Sequence, residues 1–159
     1  MLVEIAEGSI LGGPRYLWQR PNSSYFCWNE REFVFVVQEK PLVWIGSSKK
    51  DLMALPGDVR KFFGHALDFA QHGDRHGAAK VMNGFGGTGV LEVVENNMGG
   101  TYRAVYTVKF EESVFVLHCF QKKSKSGIAT PKEDINIIRA RLKIAEVLAQ
   151  ELRNATAHH

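Results

Sequence analysis

The chain has 159 residues, of which 45% are hydrophobic, and its formal net charge is +3. This length and apolar content suit one compact domain with a real core and argue against a second full domain. The charge is too small to indicate a nucleic-acid-binding protein by itself, so such a function must depend on local clusters of basic residues. Cys27 and Cys119 lie far apart without metal-ligand spacing, which argues against a disulfide framework and against a zinc site.

The N-terminal sequence lacks a basic start followed by a long apolar stretch, which is the pattern of a signal peptide. No later segment approaches the roughly 20 apolar residues that a membrane helix needs. We therefore expect a cytoplasmic protein that has no membrane partner.

The first quarter of the chain shows few regular patterns. Residues 1–30 are rich in Gly, Pro, Asn and Ser, a composition that predicts irregular structure. The runs EFVFVV at 32–37 and LVWIG at 42–46 predict short strands on either side of a turn at Lys40 and Pro41.

A helical hairpin is predicted next. Ser48 and Asp51 have the spacing of a capping box, with Asp in place of the usual Glu or Gln. Apolar residues at helical spacing predict helices over 48–55 and 58–71, and Pro56 interrupts the pattern between them.

Three apolar runs then predict an antiparallel meander over 90–96, 101–110 and 113–123. In the middle run, alternation places Arg103 and Val105 on the face opposite to the tyrosines. In the last run, strict alternation places five side chains on one face: Val114, Val116, His118, Phe120 and Lys122.

The last predicted element is a long helix that ends at about residue 152. Thr130 and Glu133 form a T-x-x-E capping box, and Pro131 suits the first helical position. Apolar residues recur along one face from Ile135 onward. His158 and His159 are interpreted as a cloning remnant.

Basic residues cluster where the last predicted strand ends. Lys122, Lys123 and Lys125 can present their charge to a partner from a rigid base, although such clusters are more often only solvated surface. Arg103 lies on the central strand among aromatic residues, where an arginine is costly unless it is paired or used. It can form a salt bridge to Glu92 or Glu95, or it can bind a phosphate with its two-pronged guanidinium.

The histidines give weaker signals. His65, His72 and His76 lack an HExxH pattern and clustered carboxylates, so helix-end or loop positions are favoured over a metal site. His118 is more often a satisfied core histidine than an acid or base.

Together, KPLVWIGSSKKDL, YRAVYTV and LHCFQKKSKSG resemble the phage-related HigB-like toxins of the RelE superfamily, over about residues 40–152. The resemblance implies an α+β, RelE-like fold, with an N-terminal helical hairpin packed on a small antiparallel sheet and a C-terminal helix. We expect an extension over 1–39, either an added strand or irregular, a toxin domain over 40–153 and a tail over 154–159.

The resemblance also implies the toxin role of a type II toxin–antitoxin system. The expected activity is a metal-independent mRNA endoribonuclease (mRNA interferase) that inhibits translation on the ribosome, needs no cofactor and uses 2′-OH attack on the scissile phosphate. The expected partners are mRNA, the ribosome and a cognate HigA-like antitoxin with a helix-turn-helix. A catalytically weak RelE-like module that binds an antitoxin or the ribosome is the alternative. A toxin that acts on another target, such as tRNA, is a third.

Carried over by position, Arg103 matches the sheet arginine that contacts the scissile phosphate, and Lys122 and Lys123 match the basic pair. The chain departs from RelE proteins on the preceding strand, where Glu92 and Glu95 replace lysines. Glu92 or His118 is then the candidate general base. Two further lysines are candidates for RNA binding: Lys80 and Lys125.

Overall fold

The computed structural model describes residues 39–87, 89–122 and 130–157 together with their side chains, and it describes the backbone of four strands within residues 2–37. The chain forms two compact units, Met1–Glu39 and Lys40–His159.

The N-terminal unit contains an antiparallel sheet in which each strand pairs with the next along the chain. Its strands are β1 (Leu2–Glu4), β2 (Tyr16–Gln19), β3 (Ser24–Asn29) and β4 (Glu32–Val37). The predicted strand at 32–37 is confirmed, but the prediction of irregular structure over 1–30 is wrong. The segments YLWQ and SYFCWN are rich in aromatic residues, which favour strands, and the turn-forming residues lie between them.

The C-terminal unit is an α+β fold built on a five-stranded sheet with the order β5-β9-β8-β7-β6. It is consistent with the RelE-like fold that the resemblance implies. Its elements are β5 (Leu42–Trp44), α1 (Ser48–Met53), α2 (Gly57–Gln71), β6 (Ala79–Val81), β7 (Val90–Asn97), β8 (Gly100–Thr107), β9 (Val114–Gln121) and the C-terminal helix α3 (Lys132–Ala157). In the described part of the chain, no helix combines the length and the apolar character that crossing a membrane requires.

The strand pairing confirms the meander and corrects two expectations. Strands β6 to β9 pair antiparallel, as predicted for β7, β8 and β9. Strand β5 instead pairs parallel with β9, so the sheet is mixed. Strands β4 and β5 therefore do not share a turn within one sheet, because their partners lie in different sheets.

The five-stranded sheet has a hydrophobic core on each face. Helices α1 and α2 cover one face, where Phe63 and Leu67 pack with Tyr102, Ala104 and Tyr106. Helix α3 covers the other face, where its buried residues pack with side chains of the central strands: Ile138, Ala145 and Ala149 with Val105, Phe115, Leu117 and Phe120. This arrangement confirms that neighbouring residues of β8 face opposite sides.

A bulge in β9 changes which side chains share a face. Val105 lies opposite His118, but Tyr106 lies opposite Val116, so Leu117 is an extra residue in the pairing of β8 with β9. Val116 therefore belongs to the core under α2, whereas Phe120 belongs to the core under α3. The predicted single face for Val114, Val116, His118, Phe120 and Lys122 is wrong, because strict alternation fails at a bulge.

Two helix ends also differ from expectation. Helix α1 begins at Ser48 as predicted, but it ends at Met53 and its N-cap residue is Ser47 instead of Ser48. The Ser47 hydroxyl donates a 2.7 Å hydrogen bond to the carboxylate of Asp51. Helix α3 begins at Lys132 and continues to Ala157, past the predicted end and into the predicted tail. The Thr156 hydroxyl donates to the carbonyl of Leu152 at 3.1 Å, which supports this last turn.

The thiol of Cys119 is buried under α2 and gives a direct chemical test of this core. Burial raises its pKa to about 12, and the nearby Asp51 carboxylate adds to the effect against the smaller opposing influence of Arg141. Because only the thiolate is nucleophilic, we expect alkylation at neutral pH to be at least about 100-fold slower than in the unfolded chain. Peptide mass spectrometry after iodoacetamide treatment, with and without denaturant, measures this ratio; equal rates would contradict the packing described here.

Candidate active site on the sheet face under α3

The strand register brings several predicted site residues onto one face of the sheet. Lys80 lies opposite Glu92, Glu92 lies opposite Val105, and Val105 lies opposite His118. Residues directly opposite one another project from the same face of a sheet. Arg103 is two residues from Val105 on β8 and therefore shares this face, which is the one that α3 covers.

Arg103 is paired in the structure. Its Nη1 donates to Glu92 Oε2 at 2.6 Å and to the hydroxyl of Thr130 at 3.0 Å. Arg103 is only 6% exposed, so the ion pair lies inside the protein. A salt bridge was one of the two predicted interpretations of Arg103, and the structure contains it with Glu92 as the partner. The other candidate, Glu95, lies opposite Tyr102, whose side chain packs in the core under α2.

His118 is also buried and held at both ring nitrogens. Its Nε2 lies 3.1 Å from Asp134 Oδ1, and its Nδ1 lies 3.3 Å from Arg141 Nη1. The ring stacks on Phe120 with a centroid distance of 4.8 Å. These contacts agree with the interpretation of His118 as a satisfied core histidine.

Arg141 connects three elements around His118. Besides the imidazole, it donates to the carbonyl of Leu117 at 2.8 Å and to the hydroxyl of Ser47 at 2.7 Å. The Asp51 carboxylate lies 3.8 Å from Arg141 and 4.0 Å from His118 Nδ1. This polar cluster of Ser47, Asp51, His118, Asp134 and Arg141 joins α1, β9 and α3.

The spacing of residues on α3 contained a sequence signal for this cluster that strand patterns did not. Asp134, Ile138, Arg141 and Ala145 follow one another at helical spacing, and Ile138 and Ala145 are fully buried. Two charged residues on the core-facing stripe of a helix require partners inside the protein, and His118 supplies one.

The predicted lysines do not all lie in one place. Lys122 follows β9, and its backbone N–H donates to the carbonyl of Thr101 at 2.8 Å, so it extends the strand pairing beside Arg103. Lys80 is exposed on the edge strand β6. Lys123 and Lys125 lie outside the described residues.

The three remaining histidines lie away from this face. The rings of His65 and His76 contact each other, with centroids 5.6 Å apart, and both pack against Phe69. His72 lies 3.6 Å from the carboxylate of Asp68 on α2. Among the described residues, no group of three or more His, Cys, Asp or Glu side chains could hold a metal ion.

The arrangement suits recognition of an anionic oxygen coupled to proton transfer. The guanidinium of Arg103 already binds a carboxylate oxygen at 2.6 Å, and a phosphate oxygen has the same need for planar N–H donors. A carboxylate, an imidazole and a lysine lie on the same rigid sheet surface. Glu92 is the least buried member of the ion pair, with its side chain 19% exposed.

Comparison with known proteins gives one family match. The family model described as phage derived protein Gp49-like (DUF891) matches residues 50–143. This span is more than half of the chain and contains every member of the candidate site on β6 to β9. No curated protein matches the chain.

Proposed function

The chain belongs to the Gp49-like family of phage-derived proteins, a RelE/Gp49 type of toxin family, and on this premise we propose that it is an mRNA endoribonuclease. The family is associated with the toxins of toxin–antitoxin systems, which implies an antitoxin partner. Within it, we assign a HigB-like role in which the toxin cleaves mRNA on the ribosome and a HigA-like antitoxin neutralises it. Residues 40–153 form the toxin domain in this proposal, and residues 1–39 are an extension.

The observation that carries the proposal is the buried pair of Arg103 and Glu92 at the centre of the sheet. A phosphate oxygen of RNA replaces the Glu92 carboxylate at the guanidinium, and the released carboxylate then lies beside the bound phosphate. After this exchange Arg103 is the cation that binds the phosphate, and Glu92 is the base that takes the proton of the 2′-OH.

The proposed reaction is a transesterification. The 2′-oxygen bonds to phosphorus as its proton passes to Glu92, and the bond from phosphorus to the 5′-oxygen breaks. The 5′-oxygen takes a proton from water, and the proton that Glu92 then releases neutralises the resulting hydroxide. The products are a 2′,3′-cyclic phosphate and a 5′-OH. Arg103 stabilises the negative charge that develops on the phosphorane, and Lys122 and Lys123 are assigned the role of the basic pair that adds further positive charge.

Expression of the full chain alone in bacteria tests the proposal. We expect growth arrest together with new mRNA 5′-OH ends at codon-related positions. Unchanged transcripts in cells that contain the folded protein would contradict the nuclease assignment. New 5′-OH ends in tRNA, with intact mRNA, would show that tRNA is the substrate in place of mRNA and would leave the proposed reaction unchanged.

Removing the basic pair should weaken both RNA binding and cleavage. We expect the double substitution Lys122→Ala and Lys123→Ala to lower cleavage at least about 10-fold and to reduce the salt dependence of RNA binding by about two phosphate contacts. The matched control is Lys49→Ala with Lys61→Ala, two exposed lysines on α1 and α2. RNA binding at increasing salt measures the slope; equal slopes for the two double variants would refute the assigned role.

A second candidate function is favoured by the burial of Arg103. An arginine that is 6% exposed and bonded to Glu92 and Thr130 must exchange partners before it can bind RNA. If that exchange is too costly, the protein acts as a weakly catalytic module that binds an antitoxin or the ribosome. Harmless expression together with a tight antitoxin complex would identify this function.

A further inference from the structure

The polar contacts of His118 determine which ring nitrogen carries a proton. Nδ1 lies 3.3 Å from Arg141 Nη1, and Nε2 lies 3.1 Å from Asp134 Oδ1. A guanidinium has only donors, so Nδ1 must accept, whereas an ionised carboxylate has only acceptors, so Nε2 must donate. Both contacts therefore require the same tautomer, with the proton on Nε2.

The surrounding charges make Arg141 the residue that decides this state. Asp51 Oδ2 lies 4.0 Å from Nδ1 and would favour a proton there, but it also lies 3.8 Å from Arg141. Arg141 thus compensates the negative charge of Asp51 and donates a hydrogen bond to the lone pair of His118 Nδ1. Among the described residues, the ionisable groups placed against the imidazole are Asp51, Asp134 and Arg141.

The Nε2–H group points at the same turn of chain that contacts Arg103. Thr130, just before α3, accepts from Arg103, and Asp134, in the first turn of α3, accepts from His118. Two N–H donors from neighbouring strands therefore converge on one end of α3. In this structure a protein oxygen atom accepts from each donor: the Thr130 hydroxyl from Arg103 and the Asp134 carboxylate from His118.

We infer that Arg141 is a positioning residue that fixes His118 as the Nε2–H tautomer, so that His118 acts as a hydrogen-bond donor and not as the base. As far as it concerns substrate, this inference rests on the proposed function: the Nε2–H group donates to an anionic phosphate oxygen of RNA where the Asp134 carboxylate now lies. The proton of the 2′-OH then has Glu92 as its acceptor.

Nitrogen NMR of the histidine side chains tests the tautomer directly in the full chain. We expect wild-type His118 to show a bare Nδ1 and a protonated Nε2, as its contacts with Arg141 and Asp134 require. In Arg141→Met, Nδ1 faces only the Asp51 carboxylate, so we expect a proton on Nδ1 as well. Arg141→Lys retains a cationic donor and should restore the bare Nδ1.

The matched control is Arg139→Met, which removes an arginine of the same helix whose guanidinium lies over the Phe85 ring. It should leave the His118 nitrogen signals unchanged. A wild-type proton on Nδ1 would overturn the inference, and so would an Nδ1 that remains bare in Arg141→Met. The wild-type spectrum decides the tautomer even if Arg141→Met does not fold.

RNA cleavage separates this inference from the proposed function. We expect Arg141→Met to reduce cleavage at least about 10-fold, with rescue by Arg141→Lys, because the ring is then drawn towards Asp51 and its Nε2–H donor is no longer oriented at the phosphate. If the wild type cleaves no RNA, the proposed function fails, while the nitrogen spectrum still decides the tautomer. If the spectrum is as expected but cleavage is equal in Arg141→Met and wild type, His118 does not act on the substrate and that part of the inference is refuted.

Discussion

Replacing Arg103 with Ala is expected to lower the rate of RNA cleavage by about 100- to 1000-fold, the usual effect of removing one donor that stabilises transition-state charge. The guanidinium lies at the centre of the sheet face and already binds the Glu92 carboxylate at 2.6 Å. The measurement is single-turnover cleavage of a ribosome-bound mRNA, together with growth after induction. Arg103→Lys should recover little activity, because an ammonium group cannot reproduce the planar donor geometry.

A loss of folding could mimic this result, since Arg103→Ala leaves the Glu92 carboxylate without its cation. The circular dichroism spectrum of Arg103→Ala tests this directly, and Arg103→Lys, which keeps a cation beside Glu92, should fold like the wild type. If folded Arg103→Ala or Arg103→Lys cleaves RNA at the wild-type rate, Arg103 has no part in the chemistry.

Replacing Glu92 with Ala is expected to lower the free energy of unfolding by about 3 kcal/mol, because it removes the carboxylate partner of a buried guanidinium. Arg103 is 6% exposed, so water compensates poorly for the lost contact. Chemical denaturation of the purified protein measures the change. Glu95→Ala is the matched control on the same strand and should cost about 0.5 kcal/mol or less. Equal losses at the two positions would show that the Glu92 pair contributes no special stability.

Glu92→Gln separates the stabilising role of this side chain from its proposed chemical role. The amide oxygen still accepts a hydrogen bond from Arg103, so much of the stability should remain, but the amide cannot take a proton from the 2′-OH. We therefore expect a folded protein with little cleavage. Wild-type cleavage in Glu92→Gln would transfer the role of base to another group.

The parts of the fold that were predictable are those with clean local patterns. The alternation in β8 indicates which of the two cores each side chain enters, and the helical spacing in α2 and α3 indicates the one face through which each helix packs. The parallel pairing of β5 with β9 was not predictable, since it joins segments separated by two helices and three strands. Strands β1 to β3 were missed because they are short and lie among turn-forming residues.

The candidate site was likewise predictable only in part. The pairing of Arg103 with Glu92 could be anticipated, because adjacent antiparallel strands bring their residues together. The partners of His118 could not be anticipated from strand patterns, because Asp134 and Arg141 come from a helix whose position on the sheet is a tertiary property. Only the charged residues on the buried stripe of α3 indicated that such a partner exists.

Because Leu117 is an extra residue in the pairing, the number of residues in β9 determines which side chains face each core. A point substitution changes one side chain and leaves the facing of its neighbours intact. Deletion of Leu117 would remove the bulge and leave the remaining side chains of β9 on their present faces. Deletion of one residue near either end of β9, away from the bulge, would instead make that part of the strand exchange the side chains that enter the two cores. Relatives of this protein can therefore vary the residue types of β9 gradually, whereas a change in its length away from the bulge would require both cores and the site to change together.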